Sequence, residues 1–112
     1  MPSDQTNLAP PAPPRPEVVR DAVRTLAQDT ANIWWRKHAQ DRMIERDITD
    51  QIALEVMRKG YVKGAIEAGK NPDEWVVKLV DQIKGQREVG VVVVVAGWTK
   101  LHVKTVEWED LR

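Results

Sequence analysis

Apolar positions recur every three or four residues in the first half of the chain and alternate or run together in the second, so the pattern predicts helices first and strands afterwards. Val19, Ala22, Val23 and Leu26 fall on one helical face, with Arg20, Asp21 and Arg24 opposite. Pro16 suits a first helical position and Glu17 the positive end of the helix dipole. Together they predict a helix from about Pro16 to Gln28 whose single apolar stripe covers a sheet. Ala31 to Arg36 carries Ile33, Trp34 and Trp35 without a helical period and reads as a short strand, one Trp in the core and the other lining a cleft. His38 to Arg46 returns to helical spacing, with Ala39 and Met43 turned toward a neighbouring face.

Asp47 breaks that pattern, and Thr49 is the expected N-cap of a further helix whose stripe is Ile52, Ala53, Val56 and Met57. Ile48 can staple back on Ala53, Asp50 and the pair Arg58 and Lys59 complement the dipole, and Gly60 is expected to end the helix as a left-handed residue.

From Tyr61 the period shortens. Tyr61 to Ala68 predicts a strand, Gly69 to Asp73 a turn, and Glu74 to Ile83 a strand with Trp75, Val77 and Leu79 on one face. After a turn at Lys84-Gly85-Gln86, Arg87 to Ala96 contains Val91 to Val95 without a polar break, the mark of a central strand buried on both faces. Gly97 to Lys100 turns the chain again. Leu101 to Trp108 returns as a last strand, with Leu101, Val103 and Thr105 facing one way and His102, Lys104 and Val106 the other. Short turns make neighbouring strands antiparallel, so the expected fold is α+β, with N-terminal helices packed on a small antiparallel sheet of about four strands.

Residues 1–14 read as a flexible Pro-rich leader. Pro10-Pro11-Ala12-Pro13-Pro14 favours an extended polyproline conformation, and a docking peptide stands there beside a plain leader. Residues 15–112 are the size of a single domain. Lys plus Arg equals Asp plus Glu at 17 each, so any polyanion site has to be a local patch. With no cysteine there are no disulfides, zinc–thiolate sites or thiol nucleophiles. The start has no basic region followed by an apolar core, and the longest apolar run, Val91 to Ala96, is too short to span a bilayer. These features point to a cytoplasmic protein without a membrane partner.

Ser3 is the sole serine, and no Gly-x-Gly-x-x-Gly or Walker loop is present, so neither serine chemistry nor a nucleotide cofactor is indicated. Two histidines 64 positions apart give no zinc signature, and Asp41 with Glu45 serve more simply as partners of Arg42 and Arg46 than as magnesium ligands. Acid–base and cation chemistry remain. On a helix, His38, Arg42 and Arg46 form one stripe, an imidazole able to move a proton near neutrality followed by two guanidiniums able to hold a phosphate. Two arginines four apart repel by a few tenths of a kcal/mol, so acidic neighbours or a bound anion must compensate. Lys78, Arg87, Lys100, His102 and Lys104 could add a cationic cleft between sheet and helix. That set is what metal-independent RNA cleavage requires: a base for the 2′-hydroxyl, cations for the phosphorane and an acid for the leaving oxygen. The plainer alternative ties the arginines to Asp41, Glu45, Asp47 or Asp50 and leaves each strand cation as a solvated residue or edge guard.

The run His38-Ala39-Gln40-Asp41-Arg42-Met43-Ile44-Glu45-Arg46-Asp47-Ile48-Thr49, followed by a helix ending at Gly60 and then strands, resembles the family called domain of unknown function 4258. Its members share a His-Ala-x-x-Arg-Met-x-x-Arg-x-Ile-[Ser/Thr] opening, and the likeness runs from about Ile33 to Glu107. That family is similar to the RelE/ParE-like group, many of whose members are bacterial toxins that cleave RNA without a metal. The resemblance implies that His38, Arg42 and Arg46 are the matched polar positions, and fixes no catalytic Lys or His on the sheet. The first expectation is thus a metal-independent endoribonuclease, the toxin of a toxin–antitoxin pair, with RNA as substrate and an antitoxin protein as partner. The others are a non-catalytic protein- or nucleic-acid-binding module on the same fold, and an assembly role in which the Val-rich sheet with Trp98 or Trp108 forms a homodimer surface.

Overall fold

In the computed structural model, which describes residues 12–83 and 87–110, the helices and strands follow the order of the hydrophobic pattern. They are α1 (Pro16–Leu26), a short 3₁₀ turn (Thr30–Asn32), β1 (Ile33–Trp35), α2 (Lys37–Arg46) and α3 (Asp50–Lys59). Then come β2 (Tyr61–Val62), β3 (Glu67–Ala68), β4 (Glu74–Ile83), β5 (Arg87–Ala96) and β6 (Lys100–Trp108). Residues 1–11 of the expected leader and the turn at Lys84-Gly85-Gln86 lie outside the described residues.

The α+β class holds, but the sheet is larger than expected and mixed. Six strands take part in the order β1-β6-β5-β4-β2, with β3 also on β4. The long strands β4, β5 and β6 form the antiparallel meander that the short turns dictate. β1 pairs parallel to β6 through Ile33–Leu101, Trp34–His102 and Trp35–Val103. Two helices separate β1 from the meander, and that length of chain lets it return in parallel. The single strand expected over Tyr61 to Ala68 is two short ones, because Gly64 at φ 82° bends the chain away from β4 between them.

Alternation sorts the two faces of the sheet. Trp75, Val77 and Leu79 of β4, Val89, Val91, Val93 and Val95 of β5, and Leu101 and Val103 of β6 point at the helices and are buried. On β6 the alternation then slips. The register shifts opposite Val92 and Val93, so that Val91 faces Val106 and Thr105 joins the other side. Val106 is therefore a fully buried core residue and Thr105 is not, the reverse of the strict period, and Lys104 is the extra residue of the bulge.

α2 lies along β6, α3 crosses β4 and β5, and α1 packs mainly on α3 and β2. Of the predicted stripes, Val19 and Val23, Ala39 and Met43, and Ala53, Val56 and Met57 are buried, Ala22, Leu26 and Ile52 are half-buried, and Leu54, outside the predicted stripe of α3, is buried too. Thr49 caps α3 as expected, accepting from the Ile52 amide at 3.2 Å. Asp47 ends α2 in the left-handed region at φ 56°, and Ile48 N–H closes the turn on Met43 O at 2.9 Å. Gly60 is not left-handed; at φ −74° and ψ 176° it is extended. The end of α3 is instead satisfied from α1, whose Arg24 donates to the carbonyls of Lys59 and Gly60, while Arg58 of α3 donates to Ala27 O at the end of α1. Among the described residues, no helix is long and apolar enough to cross a membrane.

The turn between β5 and β6 carries strain. Gly97 and Trp98, the first two of the three residues between the paired Ala96 and Lys100, have φ 58° and 59°, two left-handed residues in a row in a turn closed by Thr99 N–H on Ala96 O at 3.1 Å. Glycine adopts such angles freely and Trp does not. Trp98→Asn is expected to raise the urea midpoint by an amount equal to about 0.5 kcal/mol, after the loss of partly buried indole surface is set against the relieved strain.

Candidate nucleic-acid interface

The cations singled out in the sequence do not gather into one cleft; the fold sorts them by the partners it supplies. On α2, His38 is exposed and has no hydrogen bond or ion pair among the described residues. Arg42 pairs with Glu45 at 2.8 Å one turn on, and Asp41 pairs with Lys37 rather than with an arginine. Arg46 is part of the scaffold. β1 ends at its pairing with Val103, so β6 continues beyond it without a strand neighbour on that side, and the Arg46 guanidinium donates to Val106 O at 2.7 Å. In return the Trp108 indole donates to Arg46 O at 2.8 Å, which locks the end of α2 to the end of β6. The compensation that two arginines on one stripe require is thus a carboxylate for Arg42 and a strand carbonyl for Arg46.

Of the strand cations, two are consumed. Lys78 lies against Glu107 at 2.8 Å and Glu109 at 2.5 Å, with Lys63 holding the other oxygen of Glu109 at 3.0 Å. Burial alone would lower the Lys78 pKa, but the two carboxylates hold it above the ordinary lysine value. Burial likewise favours the neutral form of Glu109, and its hydrogen bonds to Lys78 and Lys63 outweigh that and keep its carboxyl below the usual range. Arg87 falls on the helix side of the register, where its guanidinium grips Asp110 at 3.1 and 3.3 Å and stacks 3.8 Å from the centre of the Trp108 ring.

The other three, Lys100, His102 and Lys104, belong to the sheet face that the helices leave open. A cross-strand row runs over that face from Trp34 through His102, Val94 and Val76 to Glu67. Trp34 is 53% exposed and stacks on His102, with ring centres 5.8 Å apart and planes within 17°. Lys100 Nζ sits 4.9 Å from the centre of the Trp34 ring. A groove of about 460 Å³ continues the row, floored by Val76 and Val94 and walled by Arg36, Lys70 and Lys104 together with the carboxylates Glu67 and Glu74. Arg36, Lys70, Lys100 and Lys104 have no carboxylate within ion-pair distance among the described residues. The Glu74 carboxyl is held below its ordinary pKa by the Asn71 amide first, with the charges of His102 and Arg36 adding to it.

Arg36, Lys70 and Glu74 were not singled out in the sequence. Nothing in spacing marks them, since a strand end, a loop and a strand start are joined here only by folding. Trp34 as the cleft-side Trp of β1 was within reach of the period-2 rule. No protein-family model matches the chain, and no curated protein or solved structure matches it either.

Proposed function

We propose that this chain binds single-stranded RNA across the open face of its sheet, as a nucleic-acid-binding module of RelE/ParE-like arrangement. The reading rests on one observation: an exposed Trp34–His102 stack lies in line with a groove whose cations lack carboxylate partners, while cations elsewhere on the sheet are neutralised. Bases stack on such aromatic platforms whatever their sequence, and flanking cations hold the phosphates. Helices on one face of a sheet built around an antiparallel meander support the arrangement. Fluorescence anisotropy with a short RNA oligonucleotide tests it. The Lys100→Glu/Lys104→Glu variant is expected to bind at least about tenfold more weakly and with a shallower salt dependence, and Trp34→Ala to lose about 1–3 kcal/mol. Arg46→Ala is expected to lose stability, by about 1–2 kcal/mol, and to leave the affinity of the folded protein unchanged. Failure of the wild type to bind single-stranded RNA at low salt would sink the proposal.

A second reading adds cleavage to binding, and the place of His102 beside the groove favours it. His102 is paired across the sheet with Val94 of the groove floor, and Glu74, ionised, lines the groove with the cations, which would supply an acid–base pair and charge for a phosphorane without a metal. Products with a 2′,3′-cyclic phosphate and a 5′-hydroxyl, formed in EDTA and lost in His102→Ala, are its expected signature. His38, with Arg42 and Arg46 engaged in the fold, is expected to be dispensable for it.

A further inference from the structure

A second concavity, of about 650 Å³, lies at the corner between α2 and α3, on the side of the molecule where β1 forms the sheet edge. Its apolar part is Trp35, Met43, Ile44 and Ile48, and its polar part includes Asp47 and Asp50. Ile44 is 80% exposed, a large apolar side chain left open to solvent. Asp47 and Asp50 are exposed and have no ion pair among the described residues. The corner is thus an aromatic and aliphatic groove with two uncompensated carboxylates beside it.

The same chain carries a segment of matching chemistry. Pro10-Pro11-Ala12-Pro13-Pro14-Arg15 contains the Pro-x-x-Pro spacing twice, with an arginine two residues after Pro13. Segments of this kind dock in aromatic-lined grooves because their extended form is already favoured and little entropy is lost on binding. Arg15 has polyproline-like angles, φ −64° and ψ 146°, and its exposed side chain has no partner among the described residues. We propose that this groove receives the Pro10–Arg15 segment of a second copy of the chain, with prolines on Trp35 and Ile44 and Arg15 against Asp47 and Asp50.

The chain's own segment cannot fill the groove. Arg15 O accepts from the amides of Val18 and Val19, which fixes Arg15 to the start of α1. That start lies against Tyr61 and Val62 of β2, while Trp35 lies on β1. β1 and β2 are at opposite ends of the strand order, four steps apart, or roughly 19 Å at the usual strand spacing. Each copy offers one segment and one groove, so a reciprocal exchange closes as a two-fold dimer.

Sedimentation of the full chain at micromolar concentrations tests this with a charge swap. Arg15→Asp, and separately Asp47→Asn/Asp50→Lys, are expected to weaken self-association at least about tenfold, and an equimolar mixture of the two variants to associate again, since each supplies what the other lacks. Pro10→Ala/Pro13→Ala, which changes no residue of the described helices and strands, is expected to weaken it as well. A wild type that stays monomeric overturns the proposal. So does a dimer that survives both charge variants, one that survives the proline variant, or a mixture that remains monomeric while both variants keep the wild-type circular dichroism.

Discussion

Gly60→Ala is expected to destabilise the protein by about 3 kcal/mol, the upper end of what overpacking a tight site costs, read as a lower urea midpoint at unchanged slope. The reason is space, not backbone freedom. A Cβ on Gly60 would stand 2.5 Å from Val56 O and 2.7 Å from Val80 O, both backbone atoms that cannot swing aside. One belongs to the last turn of α3 and the other to β4, so relief requires moving the helix off the strand. The carbonyls of Lys59 and Gly60 also receive Arg24, and a shift here would loosen the joint between α1 and α3. Asn tolerates left-handed angles, so Gly60→Asn separates the two accounts: it would be mild if a left-handed residue were required and is expected to be at least as damaging as alanine. An unchanged midpoint for Gly60→Ala would show that the close approach does not exist.

Lys78→Met is expected to cost about 2–3 kcal/mol at neutral pH, because among the described residues it leaves Glu109 with Lys63 as its single cation and Glu107 with none. The Glu109 side chain is only 5% exposed, so water cannot replace the lost ammonium. The pH dependence identifies the cause. Glu109 has a folded pKa below the ordinary glutamate value of 4.5, so its pairing stabilises fully above that value and the contribution disappears as pH falls through the folded pKa. Lys78 is raised above 10.5, so its share is present below that value and is lost only as pH rises through the raised pKa. The wild type is therefore expected to be level between those limits and to weaken in acid. The variant, with Glu109 less strongly held in the ionised form, is expected to weaken less, so the gap narrows as pH falls below the ordinary glutamate value and through the lowered folded pKa. A gap of constant size over that range would assign the loss to packing of the lysine stem instead of to charge.

Both sites bear on what the chain declares before it folds. Every helix was legible, because Val19 and Val23, Ala39 and Met43, and Ala53, Val56 and Met57 repeat at the helical period and each stripe is buried. The alternation on β4 and the unbroken valines of β5 likewise marked the meander and its covered face. The parallel pairing of β1 was not legible, since three residues carry no sign of their partner. Nor was the bulge on β6: a strict period of two put Thr105 inside and Val106 outside, and one extra residue reversed them. Gly60 was recognised as a helix end for the wrong reason, because a clash with Val80, 20 positions away, cannot be read locally.

The candidate site shows the same division more sharply. The sequence by itself determined that cations lie at Arg42, Arg46, Lys78, Arg87, Lys100 and Lys104, that total charge is balanced, and that a Trp on β1 faces away from the core. Only the tertiary structure decided which of those cations are neutralised. Arg46 finds a carbonyl 60 positions away, Lys78 finds Glu107 and Glu109, and Arg87 finds Asp110, while Arg36, Lys70, Lys100 and Lys104 meet no carboxylate among the described residues. Hydrophobic period is a property of neighbours along the chain and survives without the fold. Charge compensation depends on distance in space, and that is set only when β6 is placed between β1 and β5.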